Sequence, residues 1–230
     1  MPIVAMSSST LSGGAGAGLL NDYLFGLVDT PHPRVCFLPT AVGDSAESIA
    51  GFYGAFPSGR CEPSHLTLFN RTVDDLRSYL LQQDMIYVNG GNTANMLAVW
   101  RLHGLDAILR EAWQQGTLLC GFSARGLCWF ESGITDSFGP TLTSVQNCLG
   151  FLPGSFCPHY DSEPSRRPTY QDAIARALTP GWAVDDGVAL HFEETELRAK
   201  VSAAPTAQVY HLEEIDGEVR ETVIEPQPLW

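Results

Sequence analysis

Leu118-Leu119-Cys120-Gly121-Phe122-Ser123-Ala124-Arg125-Gly126-Leu127-Cys128-Trp129-Phe130-Glu131 is the stretch around which this 230-residue chain is arranged. The apolar and small residues before Ser123 read as a short buried strand. A sharp turn at Ala124 then leads into a helix that starts at Gly126 or Leu127 and carries large apolar residues. A strand-turn-helix junction of this kind lifts a serine hydroxyl clear of a sheet. It also sets the hydroxyl at a helix N-terminus, where unpaired N–H groups can stabilise an oxyanion. Ser123 is therefore a candidate nucleophile. Serine is also a preferred N-cap, and on this segment alone the capping of a core helix is the better reading.

Outward from this stretch, strands and helices alternate with short connections. Residues 84–88 read as a strand that ends in Asn89-Gly90-Gly91-Asn92-Thr93, and helices at 94–102 and 105–115 lead back to the strand before Ser123. Earlier strands are expected at 2–6, 34–39 and 65–69. Helices are expected at 19–28, 48–55 and 73–83, the last with Leu76, Leu80 and Leu81 at helical spacing. This order is the pattern of an α/β fold, a mostly parallel sheet with helices on both faces. In such sheets ligands bind beyond the C-terminal ends of the strands, where both Gly90–Thr93 and Ser123 fall.

The later chain changes character. Residues 139–164 are rich in turn formers and 169–178 can form one more helix. From Trp182 onward, apolar stretches at 184–192 and 206–212, separated by turn signals, read as C-terminal antiparallel hairpins. No repeat or linker divides the chain, so one α/β domain over 1–230 is expected. Glu193, Glu194, Glu196, Glu213, Glu214 and Asp216 read as a solvated face.

The net charge of −13 argues against nucleic acid or an anionic membrane surface as partner, because both would repel the chain. No apolar run reaches the roughly 18 residues that span a bilayer. The N-terminal Met1–Met6 lacks the basic lead of a signal peptide, so a cytoplasmic protein with reduced thiols at Cys36, Cys61, Cys120, Cys128, Cys148 and Cys157 is expected. Gly14-Ala15-Gly16-Ala17-Gly18 does not have the spacing of a dinucleotide loop and no P-loop lysine follows, so no nucleotide cofactor is expected. A homodimer is compatible with the sequence, which does not determine the oligomeric state.

A serine nucleophile needs a base within hydrogen-bond reach and an acid that orients the base. Of the six histidines, His159 in Phe156-Cys157-Pro158-His159-Tyr160-Asp161 follows an apolar segment and opens a polar loop, which would place it at a strand end. His191 and Glu193, two apart in a late strand, could form a metal pair; two ligands on an acidic surface favour a structural role, and no metal is expected. Asp136, after the helix that follows Ser123, is a candidate acid. Asp161, Glu131, Asp185 and Asp186 compete with it, and spacing does not choose among them.

Tyr87-Val88-Asn89-Gly90-Gly91-Asn92-Thr93, Gly121-Phe122-Ser123-Ala124, Thr135-Asp136 and Pro158-His159-Tyr160, in that order, resemble the dipeptidase E and cyanophycinase family of serine peptidases over about Ile3 to Tyr210. The resemblance implies a fold similar to the class I glutamine amidotransferases, with Ser123 as nucleophile and His159 as base. Asp136 falls where the dipeptidases place their third triad member, and the N–H groups of Gly91 and Ala124 fall at the oxyanion hole. It further implies a small peptide substrate, a dipeptide with an N-terminal aspartate. Asn92, Thr93, Arg125, Arg166 and Arg167 are the expected substrate contacts, because an acidic protein should hold a substrate carboxylate with a dedicated arginine.

One departure stands out. The family pattern after the nucleophile is Ser-Ala-Gly, whereas this chain has Ser123-Ala124-Arg125-Gly126. A small residue is normally needed there because helix and strand meet closely. Three outcomes are open: Arg125 binds a substrate carboxylate, Arg125 blocks the site and leaves a binding protein without turnover, or Gly126 takes over the close packing.

Overall fold

The computed structural model describes residues 1–8, 11 and 16–230, without the side chains of Ala124 and Arg125. The glycine-rich loop read in the sequence after the first strand lies largely outside the described residues. Up to Phe122 the chain runs β1 (Pro2–Met6), α1 (Ala17–Gly26), β2 (Arg34–Leu38), α2 (Ala46–Ala55), β3 (Glu62–His65), α3 (Leu76–Leu80), β4 (Met85–Val88), α4 (Thr93–Leu102), α5 (Leu105–Gln114) and β5 (Leu118–Phe122). The five strands are parallel in the order β1-β5-β4-β2-β3. The apolar runs of β1, β2, β4 and β5 are buried on both faces, as expected for parallel strands between helices.

The remaining elements are α6 (Ala124–Leu127), β6 (Ser132–Thr135), β7 (Thr143–Val145), β8 (Ser155–Cys157), α7 (Arg166–Ala175), β9 (Gly181–Val184), β10 (Val188–Glu193), β11 (Glu196–Ser202), β12 (Val209–Ile215), β13 (Glu218–Ile224) and β14 (Gln227–Pro228). Here β10 pairs antiparallel with β1 and β11 with β10, and β14 joins β11, which extends the parallel core to eight strands. The other strands form a six-stranded sheet in the order β13-β12-β9-β8-β6-β7, antiparallel at both ends. The expected α/β fold with C-terminal antiparallel hairpins is what the chain adopts.

Alternate residues of each parallel strand feed opposite cores. Val4, Met6, Val35, Phe37, Met85, Tyr87 and Cys120 pack against Leu20 and Leu24 of α1 and Phe52 of α2. Ile3, Ala5, Cys36, Leu38, Ile86, Val88 and Leu119 pack against α3, α4 and α5, and this second core continues into the smaller sheet through Phe130, Phe156 and Val209. Local signals set the helix starts: the side chains of Ser45, Asp75 and Asn92 accept the N–H of Ser48, Ser78 and Asn95, three residues on. Among the described residues no helix is long and apolar enough to cross a membrane.

Several boundaries differ from the sequence reading. The strand expected at 65–69 is β3, at Glu62–His65, a polar edge strand whose Pro63 is tolerated because only β2 pairs with it. The helix after Ser123 is a single turn. The helix expected at 73–83 is cut to Leu76–Leu80 by its Asp75 cap and by the chain leaving helical pairing after Leu81. The apolar stretch 184–192 is two strands, β9 and β10, separated by Asp185-Asp186-Gly187.

An aromatic stack shows how tightly the α2 side is packed. The Phe37 and Phe52 ring centroids lie 4.7 Å apart at 2° and those of Phe52 and Phe56 4.9 Å apart. Phe52 has no exposed surface, so Phe52→Ala should cost about 3–5 kcal/mol of unfolding free energy, measured by urea titration.

Candidate active site

Ser123 leaves β5 with φ 59° and ψ −128°, a conformation non-glycine residues rarely adopt. Its N–H donates to the Met6 carbonyl at 2.9 Å, and its own carbonyl accepts the Gly126 N–H at 3.1 Å to close the turn. A Cβ on Gly126 would lie 2.7 Å from Phe156 Cε1 and 3.1 Å from the Met6 carbonyl oxygen. Gly126 therefore occupies the close-packed position, the third outcome named for the Arg125 departure. The Arg125 side chain itself lies outside the described part of the structure.

His159 emerges just beyond β8 in the left-handed region, at φ 57°. Its Nε2 is 2.8 Å from Ser123 Oγ and its Nδ1 is 2.6 Å from Asp186 Oδ1. Asp186 sits in the three-residue turn between β9 and β10. Its Oδ1 also accepts the Ser7 hydroxyl at 2.9 Å and the Ser8 hydroxyl at 3.0 Å, and its N–H donates to Asp161 Oδ1 at 2.9 Å. Ser7 Oγ in turn accepts the His159 N–H at 2.9 Å, so one fully buried hydroxyl ties both loops together.

Partial burial works against the charge on Asp186. Hydrogen bonds from His159, Ser162 and Ser7, with the field of His159, outweigh it and hold the carboxyl well below the usual carboxylate range. An ionised Asp186 draws the ring proton to Nδ1, which leaves Nε2 to accept the Ser123 hydroxyl proton. The line Ser123–His159–Asp186 thus sets a hydroxyl, an imidazole and a carboxylate within hydrogen-bond reach of one another, the arrangement that a nucleophile, a base and an orienting acid require.

Ser123 opens on a cavity of about 320 Å³ lined by Gly91, Asn92, Ile134, Thr135, Asp136, Glu163 and Arg166. Asp136, expected from the resemblance as the orienting acid, sits on this cavity wall at the exit of β6, exposed. Among the described residues no hydrogen bond joins it to His159; the carboxylate against Nδ1 is that of Asp186. Asp186 is among the acids that compete with Asp136 in the sequence. Its position was hidden because the turn that carries it lies inside an apolar stretch, where Asp-Asp-Gly was the available signal. Ser7 and Ser8 read only as the start of a polar loop.

The other expected residues divide. Gly91 borders the cavity at φ 136° and its N–H has no partner among the described residues, while Ala124 is the first residue of α6, a position whose N–H the helix leaves unpaired. Asn92 lines the cavity, but its Oδ1 caps α4 and its Nδ2 donates to the Ser137 carbonyl at 2.9 Å. Thr93 is completely buried. Arg166 is 5% exposed and lines the cavity with its Nε 2.7 Å from Glu163 Oε2. Arg167 turns elsewhere, to Glu221. His191 is occupied by Tyr23 OH at 2.9 Å and Glu193 at 3.4 Å, a strand-to-helix tie. All six cysteines are free and buried, and burial pushes Cys36 and Cys157 up to about 12.

Residues 3–200 match the model of peptidase family S51. The chain is 47% identical over 220 residues to the uncharacterized peptidase YgaJ of Bacillus subtilis, covering 95% of both proteins. It is 28% identical over 134 residues to peptidase E of Shewanella denitrificans, covering 54% of this chain and 57% of that protein. Among solved structures, a putative peptidase E protein from Listeria monocytogenes superposes with a TM-score of 0.61 at 20% identity, covering 86% of this chain and 96% of that one. A peptidase from an acI-B1 actinobacterium gives 0.66 at 16% identity, covering 98% and 94%. These two structural likenesses concern the fold.

The depressed Asp186 carboxyl gives the site a pH signature. A group that binds its proton more weakly when folded adds stability above its unfolded pKa of about 3.9, and that contribution is lost as pH falls through the folded value. The stability difference between wild type and Asp186→Asn should therefore be constant above about pH 5 and shrink on acidification below about pH 4. Urea unfolding across this range measures it; a difference that grew toward low pH would contradict the assignment.

Proposed function

The chain belongs to peptidase family S51 and is a hydrolase, and from this premise we propose that it is a serine peptidase cutting short peptides through an acyl-enzyme. The observation that carries the proposal is the hydrogen-bonded line from Ser123 Oγ through His159 to Asp186. His159 Nε2 takes the Ser123 proton as Oγ attacks the scissile carbonyl carbon, and the N–H groups of Gly91 and Ala124 hold the resulting oxyanion. The tetrahedral intermediate collapses as His159 passes its proton to the leaving amine, and water hydrolyses the acyl-enzyme by the same steps. Asp186 keeps the ring oriented and stabilises the imidazolium that forms at each stage.

A cavity of about 320 Å³ lies at the small end of the range for ligand sites and suits a peptide of a few residues. The turn at Ser123, with Gly126 closely packed, supports turnover over the alternative in which Arg125 leaves a binding protein without catalysis. Preference for an N-terminal aspartate, in a dipeptide substrate, is the finer part of the proposal. Among the described side chains, Arg166 is the guanidinium within the cavity, and a substrate carboxylate would take the place of Glu163 on it.

Labelling by a small fluorophosphonate and hydrolysis of an Asp-Xaa dipeptide panel test the reading together. Ser123→Ala should be folded, unlabelled and inactive, and Asp186→Asn should lose about 10³–10⁴-fold in kcat. Asp136→Asn should stay within about tenfold of wild type, the range left to a residue that touches substrate without entering the proton relay. Hydrolysis retained in Ser123→Ala would sink the serine mechanism, and a larger loss in Asp136→Asn than in Asp186→Asn would return the acid role to Asp136. For the finer part, Arg166→Met should lower kcat/KM for Asp-Xaa relative to Ala-Xaa; an unchanged ratio removes the aspartate preference.

A further inference from the structure

We propose that Glu221, on the β12–β13 hairpin, is a positioning residue for the catalytic line, acting through Tyr160 on His159 and through Tyr210 and Asp185 on Asp186. The inference rests on the serine-peptidase reading. Its starting point is that the residues next to the base and the acid are tied to the same hairpin. Tyr160, which follows His159, is 3% exposed and donates its hydroxyl to Glu221 Oε2 at 2.6 Å. Asp185, which precedes Asp186, accepts the Tyr210 hydroxyl at 3.3 Å and the Gln208 N–H at 2.8 Å on Oδ2. The Tyr160 and Tyr210 rings meet at 4.9 Å.

Glu221 closes this assembly. Its side chain is 12% exposed and is met by three donors: Tyr160, Gln171 Nε2 at 3.0 Å, and Arg167. The Arg167 guanidinium lies over both tyrosine rings, 5.5 Å and 5.3 Å from their centroids. Without the Glu221 carboxylate, the Tyr160 hydroxyl would lose its partner in a buried site, and the half-exposed Arg167 would lose the ion pair that holds it over the two rings.

The catalytic line needs such bracing. His159 holds a left-handed φ, which a non-glycine residue keeps only where its surroundings over-determine it. Asp186 sits on a three-residue turn. The Tyr160 N–H bonds the Val184 carbonyl at 3.1 Å and the Asp185 N–H bonds the Gln208 carbonyl at 3.1 Å, so the backbones of both loops are also pinned to β9 and to the entry of β12. The hairpin lies beyond residue 200, where the match to the family model ends.

The test is the second-order rate of Ser123 labelling by a small fluorophosphonate, expressed per folded molecule from circular dichroism, with Ser123→Ala as the blank. Glu221→Ala should slow labelling about 10- to 100-fold, the range a small displacement of catalytic groups produces. Glu221→Gln, which keeps an acceptor for Tyr160 and Gln171, should recover most of the rate. Tyr160→Phe, which keeps the ring and its packing, should slow labelling to a similar degree and serves as the test if Glu221→Ala does not fold. The double variant should be no slower than the slower single one, because the two act as a unit. Wild-type rates per folded molecule in Tyr160→Phe and Glu221→Ala, multiplicative losses in the double variant, or a Glu221→Gln as slow as Glu221→Ala would each overturn the inference. An unlabelled wild type overturns the serine-peptidase reading and takes this inference with it.

Discussion

The backbone at Ser123 is the constraint on which the site depends. A serine at φ 59° and ψ −128° stores strain of about 1–3 kcal/mol. It holds because the surroundings leave no alternative: β1 accepts its N–H through Met6, and the next turn is pressed through Gly126 against Phe156. Phe130, at the end of that turn, stacks on Phe156 at 5.1 Å and meets Phe192 at 5.7 Å. Phe156 belongs to the smaller sheet and Phe192 to the larger one. The turn that exposes the serine is thus also the seam between the two sheets, and folding the seam sets the turn.

The same seam explains why His159 and Asp186 arrive together. His159 lies two residues beyond β8 and Asp186 two beyond β9, and these strands are parallel neighbours in the smaller sheet. Strands that run the same way end on the same side, so the pairing brings both loops to one edge. From the larger sheet, Ser7 follows β1 directly and completes the junction by accepting from His159 and donating to Asp186. With hydroxyl donors already on its Oδ1, Asp186 is a weak base. In the proposed mechanism it stabilises a proton on His159 without taking it, the role of the acid in serine triads.

Much of this was legible in the sequence, for reasons that also mark the limits. The parallel strands could be read because burial on both faces makes them continuous apolar runs, and Ser123 and His159 because each stands where such a run meets polar residues. Asp186 was not singled out because β9 and β10 are both apolar and only three residues separate them, so the pattern reads as one run. The polar edge strand β3 was misplaced by three residues, since a strand paired on one side needs no apolar signature. Ser7 was invisible as a site residue: its role depends on the pairing of β1 with β10, a contact between distant parts of the chain that local pattern does not encode.

Charge in the cavity follows from the same packing. Arg166 begins α7 and is buried at 5% exposure, where an unpaired guanidinium would be costly, so Glu163 one turn earlier supplies the carboxylate and the Ile134 carbonyl takes Nη1 at 3.3 Å. Glu163 is about half exposed, so its own desolvation is small and it can be exchanged. A substrate carboxylate arriving at Arg166 would replace one carboxylate by another, and the net gain would be the difference between two similar ion pairs. Any preference for an acidic peptide would then depend on how well the peptide's geometry fits while it is bound to Ser123, because attraction to Arg166 alone is already satisfied. The acidity of the whole chain works in the same direction: at net −13 it repels anions at a distance, so an acidic substrate would have to be recognised at short range.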